Sequence, residues 1–301
     1  MLPSAFVPAT PTVPGTLERD ARRLADFLRG RRVVVLTGAG VSTESGIPDY
    51  RGPETRQRAR NPVQYNAFVG DAAARERYWM RSTAGFPRFA QAQPNSAHRA
   101  LAQMEASGGV LGVITQNVDR LHHRAGSANV VELHGSMADI RCLSCEARYD
   151  RPAFQRALAD RNPHVALAST DRLAPDGDAE IELSQPFVVP PCSACGGVLK
   201  PDVVFFGESV PKPKVEAAWH LYEQADALLV AGTSLAVYSG FRFVHRAMRE
   251  QKPYAIATVG PTRGDEGATV KVETPLGILL TQVARHLSAA QPPESKSAPL
   301  R

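Results

Sequence analysis

Cysteine is scarce in this chain: 301 residues carry four. That excludes a small scaffold stapled by disulfides. The start of the chain has no basic n-region and no long apolar core, so no secretory signal is expected, and the four thiols fit a reducing, cytoplasmic setting in which cysteines more often bind metal than pair. Long apolar runs are missing as well. None approaches the roughly 18 residues that a membrane helix needs, so no membrane partner is expected. Nor is charge of one sign concentrated. There are 35 Lys and Arg against 30 Asp and Glu, a net charge of +5, and the basic residues are dispersed. A nucleic-acid face needs a cluster of them, so nucleic acid is an unlikely partner class. What remains is 43% hydrophobic and 22% charged, the make-up of an ordinary globular protein of one large domain or one domain with a sizeable insert.

The richest stretch runs from Arg31 to Arg51. Val33 to Leu36 is a short aliphatic run, read as a strand buried on both faces. Gly38 and Gly40 follow at once, where the chain must turn sharply and present backbone N–H groups, a setting that suits a pyrophosphate. A dinucleotide is the natural first reading. Yet the third glycine of the dehydrogenase fingerprint is absent, with Thr43 in its place. No strand ending in Asp or Glu follows about 20 residues later to hold a ribose. A nucleotide is therefore expected, but not for ordinary hydride transfer.

Strands and helices alternate along the chain. Thr16 caps a helix with the stripe Leu17, Ala21, Leu24 and Leu28, closed by Gly30. After the Val33 strand, the Arg-rich stretch from Arg51 to Arg60 reads as a loop or lid. Helices are expected over Ala72–Thr83, after Asn95, around Phe243–Arg249 and over Thr274–Leu287. Strands are expected over Val110–Thr115, Val130–Leu133, Asp226–Ala231 and Tyr254–Val259. This alternation implies a parallel sheet with helices on both faces. One region breaks it. From Cys142 to about Phe206 the chain is rich in Pro, Asp and Gly and reads as a small inserted module. The resulting division is a loose arm over 1–15, a nucleotide-binding domain over 16–141 and 200–287, a module over 142–199, and a loose tail over 288–301.

Five groups carry chemistry. Cys142, Cys145, Cys192 and Cys195 form two C-x-x-C pairs, and two such turns make a tetrahedral site for one structural zinc ion with no open position. The 46 residues between the pairs must loop out of the module. Gln116, Asn117, Val118 and Asp119 follow a strand, where amides and a carboxylate can hold ribose hydroxyls and a carboxamide, or else cap the next helix. His134 ends another strand and can serve as a base near neutral pH; His98, His122, His123 and His245 lack that setting and read as packing or surface residues. Lys200 to Glu208 is apolar and extended, either a core strand or an edge that accepts a peptide. Gly232, Thr233 and Ser234, and Val259 and Gly260, are small-residue strand ends that allow close backbone approach to a ribose or adenine.

Taken together, these residues resemble the sirtuins, NAD-dependent protein deacylases. The matching motifs are Gly38-Ala39-Gly40-Val41-Ser42 with Gly46 to Arg51, Gln116 to Asp119, His134-Gly135, the two cysteine pairs, Lys200 to Glu208, and Gly232-Thr233-Ser234. The resemblance spans Val33 to about Leu287. The stretches Arg77 to Arg81, Leu173 to Asp178 and Val237 to Gly240 look most like the class II branch of the mitochondrial lipoamidase and ADP-ribosyltransferase and its bacterial relatives. The implied fold is α/β, a Rossmann-like doubly wound parallel sheet with a small inserted zinc-binding module of four cysteines. The implied partners are NAD and acylated-lysine protein substrates.

The resemblance also implies roles. The loop with Gly38, Ala39, Gly40, Thr43, Asp49, Tyr50 and Arg51 would hold the pyrophosphate and cover the nicotinamide ribose, with Tyr50 shielding the sugar carbon from water. Asn117 and Asp119 would grip that ribose and the carboxamide. Gly232, Thr233, Ser234, Thr258, Val259, Gly260 and Leu276 would line the adenosine side. The acyl carbonyl would attack the ribose carbon as nicotinamide leaves, and His134 would act as base on the ribose hydroxyls. Val203, Phe205, Phe206 and Gly207 would bound the peptide. Three positions depart from the common pattern: Tyr50 for Phe, Thr258 for Asn and Leu276 for Cys. Tyr78 and Arg81 share a helix face, and in desuccinylases such a pair binds a distal carboxylate, the Arg bidentately; the alternative is a solvated Arg on a charged helix. The runner-up readings are ADP-ribosyl transfer or lipoamide removal in the same site, and a non-enzymatic zinc ribbon.

Overall fold

The protein is described by a computed structural model over residues 16–50, 62–165, 174–179 and 186–289. Arg51 and the rest of the expected lid, the N-terminal arm and nearly all of the expected tail lie outside the described residues. In chain order the elements are α1 (Thr16–Leu28), β1 (Val33–Thr37), α2 (Tyr65–Gly70), α3 (Ala72–Gln91), α4 (Ser96–Ala106), β2 (Val110–Thr115), α5 (Leu121–Arg124), β3 (Val130–Glu132), β4 (Gly135–Cys142), β5 (Arg148–Asp150), α6 (Arg151–Arg161), β6 (Leu199–Val203), α7 (Lys212–Glu223), β7 (Ala227–Ala231), α8 (Tyr238–Glu250), β8 (Tyr254–Ala257), β9 (Val270–Val272) and α9 (Leu276–Ala289).

Six strands form one parallel sheet in the order β3-β2-β1-β7-β8-β9. Side-chain alternation on β1 explains its two covers. Val33 and Val35 face the cluster built by α1, α4 and α9, whereas Val34 and Leu36 face the one built by α7 and α8. All of β1 is buried, which is why it reads as a continuous apolar run. The chain order reverses at β1: β2 and β3 lie to one side, and β7 to β9 to the other. The crevice for a ligand is therefore expected beyond the carboxyl ends of β1 and β7.

A second, antiparallel sheet takes the order β5-β4-β6. Its central strand starts before Cys142 and β6 runs past Leu199, so the sheet uses more chain than the segment 142–199. With α3 and α6 it encloses an aromatic core, in which Trp79 packs on Phe154 and donates through Nε1 to Leu199 O at 3.2 Å.

Several elements differ from expectation. Helix α3 continues through Pro87 to Gln91. Helix α6 sits within the stretch expected to be irregular, started by Asp150, whose carboxylate accepts from Ala153 N at 2.9 Å, with Pro152 in its first turn. Strands β3 and β8 stop before Leu133 and Thr258, and α9 runs on to Ala289. Helices α2 and α7 and strand β9 had not been anticipated.

Candidate active site

The carboxyl ends of the parallel strands are in register. Thr37 lies opposite both Thr115 and Ala231, Thr115 opposite Glu132, and Ala231 opposite Ala257. The loops that leave this edge carry almost every residue singled out for coenzyme binding.

The glycines interlock. Gly38 N donates to Ala231 O at 3.2 Å and Gly40 N to Gly232 O at 2.8 Å. A Cβ on Gly40 would lie 2.9 Å from Gly232 O, and one on Gly232, whose φ is +64°, would lie 2.5 Å from Val41 N. The loops after β1 and β7 thus touch backbone to backbone. This differs from the expectation that Gly38 and Gly40 offer their own N–H groups to phosphate, because those two amides are used within the protein. Leu276 closes the same corner, with its Cδ1 3.0 Å from where a Gly232 Cβ would be. Thr233 Oγ1 donates to Gln116 Oε1 at 2.9 Å, and Ser234 O accepts from Arg263 N. Farther along the edge, Thr258 N donates to Val272 O, Val259 is half exposed, and Gly260 O accepts from Lys271 Nζ.

The loop after β2 is tied to the loop after β1 through Ser42. Asn117 Nδ2 donates to Gly38 O at 3.1 Å and to Ser42 Oγ at 3.0 Å, and Ser42 Oγ donates to Asp119 at 2.6 Å. Asp119 also accepts from Leu121 N at 2.9 Å, so the helix-capping alternative and the site placement hold together. Burial pushes the Asp119 carboxyl above its usual range. Val118 O accepts from Met137 N, linking this loop to β4. Thr43 Oγ1 turns back to Gly40 O at 3.0 Å.

His134 is half-buried between β3 and β4. Its Nδ1 lies 3.0 Å from Gln116 O and its Nε2 2.7 Å from Ser239 Oγ. A carbonyl only accepts, so Nδ1 carries the proton, and Nε2 presents its lone pair to the serine hydroxyl. Burial pushes the ring down to about 4, partly opposed by the Gln116 carbonyl. The imidazole is neutral, with its lone pair at Nε2. The next residue, Gly135, has a φ of +82°, and a Cβ there would meet Asp202 O at 1.9 Å, so only glycine brings β4 this close to β6. His134 O in turn accepts from Val204 N at 2.8 Å, which fixes the start of the extended segment to the histidine.

That segment is braced from beneath. Lys200, buried, pairs with Glu208 at 2.9 Å and donates to Val203 O, while Glu208 accepts from Phe205 N at 2.8 Å. Phe205 is buried against Tyr78 and Phe68, whereas Phe206 is exposed beside Tyr50, ring centroids 6.0 Å apart. Phe206 O accepts from Tyr65 N, and Gly207, at φ +80°, turns the chain. Tyr78 is sequestered among aromatics, its hydroxyl 4.0 Å from Met137 Sδ. Arg81, one turn on, has its carbonyl bonded to Ala179 N in the segment 174–179. Asp49 precedes Tyr50 on the loop that leads to the undescribed residues.

The four cysteines converge, with their sulfurs all within 4.8 Å of one another. Cys142 and Cys195 sulfurs are 3.6 Å apart, and those of Cys145 and Cys192 3.7 Å. A tetrahedral zinc with bonds of about 2.3 Å spaces its sulfurs about 3.8 Å apart, far from the roughly 2.05 Å of a disulfide. The two turns are built alike. Glu146 and Gly196, each just past the second cysteine of its pair, take left-handed φ of 61° and 75°. The donor set fits one zinc ion in a closed site.

Sequence reasoning did not single out Ser42 and Ser239 as site residues, although both lie within quoted motifs. Two single serines carry no periodic or spacing signal. The contacts that reveal them cross 77 and 105 residues of chain.

A parallel sheet with glycine-lined loops at its switch point, a neutral histidine at the same edge and a four-thiolate module fit a nucleotide-dependent enzyme with a structural metal. Comparison with known proteins narrows this class. The Sir2 family profile matches residues 38–239. The chain is 52% identical over 257 residues to the NAD-dependent protein deacetylase of Xanthomonas axonopodis pv. citri, covering 84% of this chain and 87% of the relative. It is 48% identical over 273 residues to the NAD-dependent protein deacylase Sirt4 of Drosophila melanogaster, covering 89% and 87%. A solved structure of Sir2 with a p53 peptide and NAD+ superposes with a TM-score of 0.71 at 32% identity, covering 89% of this chain and 97% of that one. The protein belongs to the Sir2 family.

Proposed function

We propose that the protein removes acyl groups from protein lysines at the expense of NAD. Relatives named as NAD-dependent deacetylases and deacylases, about half identical over most of the chain, support this activity. The observation that carries the mechanism is the state of His134: neutral, with Nδ1–H held by the carbonyl of Gln116, the residue before Asn117, and the Nε2 lone pair turned to Ser239 Oγ.

NAD, when bound, supplies the electrophilic sugar carbon and the acceptor for the acyl group. Asn117 and Asp119, already fixed through Ser42, orient the sugar and carboxamide. His134 takes a proton from a ribose hydroxyl at Nε2, while its Nδ1–H stays on Gln116 O, which stabilises the imidazolium that forms. Thr233, Ser234, Thr258, Val259, Gly260 and Leu276 line the adenosine side. Tyr50, beside Phe206, excludes water above the reacting carbon. The edge from Val203 to Gly207 takes the peptide, braced by Lys200 and Glu208. Tyr78 and Arg81 face the distal end of the acyl chain. Zinc, bound by Cys142, Cys145, Cys192 and Cys195, holds the module against β4 and β6 and takes no part in the reaction. The division into a coenzyme domain over 16–141 and 200–287 and a zinc module over 142–199 is part of this reading, as is a cytoplasmic setting, which reduced thiols favour. Among the described residues no helix is long and apolar enough to cross a membrane.

The test is nicotinamide release from NAD with acetyl, succinyl, lipoyl and methylglutaryl peptides. Release with at least one peptide, coupled to formation of an acylated ADP-ribose and abolished by His134→Ala with the fold intact, is expected. No release with any peptide, or label from NAD appearing only on protein, overturns the reading. The acyl group that turns over best tests Tyr78 and Arg81.

A further inference from the structure

The contact between Ser239 Oγ and His134 Nε2, at 2.7 Å, serves neither the sheet nor the helix that carries it. Ser239 is the second residue of α8 and is 8% exposed. Gly240 follows. A Cβ there would lie 2.5 Å from Gln116 Nε2, so glycine lets the start of α8 close onto the loop that holds the opposite ring nitrogen. Gln116 is itself immobilised. Its N–H donates to Thr37 O at 2.9 Å and its Oε1 accepts from Thr233 Oγ1 at 2.9 Å.

The imidazole is therefore gripped at both ends. One hydrogen bond at Nδ1 fixes a point and leaves the ring free to rotate about it; a second at Nε2 fixes the plane. Because Nδ1 holds the only ring proton, Ser239 is the donor, and it points at the lone pair that the reaction uses.

We propose that Ser239 is a positioning residue for the base: it holds the His134 ring with its Nε2 lone pair toward the cleft and cedes that lone pair to a sugar hydroxyl as NAD seats. Ser239 forms no bond to substrate and donates no proton to it; the proton moves from the sugar hydroxyl to Nε2. The proposal rests on the reading of His134 as the base.

The family chemistry offers a readout that a merely structural residue would not move. Exchange of labelled nicotinamide into NAD, with acylated peptide present, needs no base; completion of acyl transfer does. Ser239→Ala is expected to leave exchange within about twofold while acyl transfer slows about tenfold, the loss of one well-made hydrogen bond, with a thermal midpoint lowered by no more than about 4 °C. Should that variant melt early, Ser239→Cys fills the site with a similar shape, weakens the donor and reads the same split. His134→Ala is run alongside. If it loses exchange and transfer together, the assignment of the base fails. If it splits the two steps while Ser239→Ala leaves transfer unchanged or slows both equally, the role of Ser239 alone is overturned.

Discussion

Acid should destabilise this protein through a pair of histidines that take no part in the chemistry. His98 and His122 are both buried, with ring centroids 4.8 Å apart. His122 Nε2 meets Thr37 Oγ1 at 3.0 Å, and His98 Nδ1 accepts from Asn95 N at 3.4 Å. The other nitrogen of each ring has no hydrogen-bond partner among the described residues, so neither ring has a group ready to stabilise an added proton. Burial, with Arg99 adding repulsion, pushes His98 down to about 4. Burial and then the neighbouring His98 push His122 well below the usual value. The unfolded chain protonates these rings near pH 6.5. Both folded values are depressed, so the full stability is present above pH 6.5 and is lost as the pH falls toward 4, where the unfolded state binds protons the native state refuses. At 1.36 kcal/mol per unit, going from pH 7 to about pH 4.5 removes about 2.5 kcal/mol through His98, and His122, depressed in the same direction, adds to that loss. Urea unfolding across that range measures it, comparing the wild type with a His98→Gln, His122→Gln double variant. The variant is expected to be less stable at neutral pH, since the Thr37 contact is altered, but to lose far less stability on acidification. A residual slope remains, because His134 is also held near 4. A wild-type stability flat between pH 7 and about 5, or identical slopes in the two proteins, refutes the argument.

Three further outcomes follow from the geometry. Gly232→Ala combines a left-handed φ with a 2.5 Å backbone clash and is expected to cost about 3 kcal/mol and abolish NAD binding by calorimetry; Gly30→Ala, at φ +70° in open space, should cost only about 1 kcal/mol. Lys200→Met leaves Glu208 without its buried partner and should cost about 3 kcal/mol in urea, whereas adding Glu208→Gln, which keeps the acceptor for Phe205 N, should recover much of that loss. The purified protein should contain about one zinc per chain by atomic absorption, and chelation or Cys192→Ser should lower its thermal midpoint.

The fold was legible where periodicity and burial agree. Val33 to Leu36, Val110 to Thr115 and Ala227 to Ala231 are apolar because both sheet faces are covered, and such runs read directly as central strands. The stripe of α1 and the Asn95 cap of α4 were equally direct. Helix α6 was missed because its amphipathicity is weak: it buries only Arg151, Phe154 and Leu158, and an arginine is among them. That guanidinium is enclosed by the Phe86 ring at 4.1 Å and by Ser82, an environment no local pattern announces. Strand β9, only three residues long and at the sheet edge, is equally silent. At the candidate site, the residues in distinctive motifs are the ones the fold brings together. Those whose roles lie in a single long-range contact, Ser42 to Asp119 and Ser239 to His134, were not legible.

The absent third glycine is the detail that best separates this coenzyme site from the dehydrogenase pattern, and the structure supplies its cause. In that pattern the third glycine lets a long helix pack closely on the strand it follows. Here β1 leads into two short 3-10 turns, Ala39–Val41 and Thr43–Ser45, with no α-helix before α2 among the described residues. No close helix–strand contact exists at that point, so a side chain is tolerated, and Thr43 uses its hydroxyl to bond Gly40 O and close the turn. The need for glycine has moved to the opposite loop, where Gly232 must accept Gly40 and Val41 against its own backbone. The chain freed from helix is the loop that carries Glu44, which accepts from Gly277 N at 2.9 Å and so caps α9, and then Tyr50, whose ring lies beside Phe206 on the segment proposed to take the peptide. A dehydrogenase seals its pyrophosphate turn under a rigid helix. This fold leaves the same turn continuous with a loop that touches the segment proposed for the peptide, as a reaction joining coenzyme and peptide in one site requires.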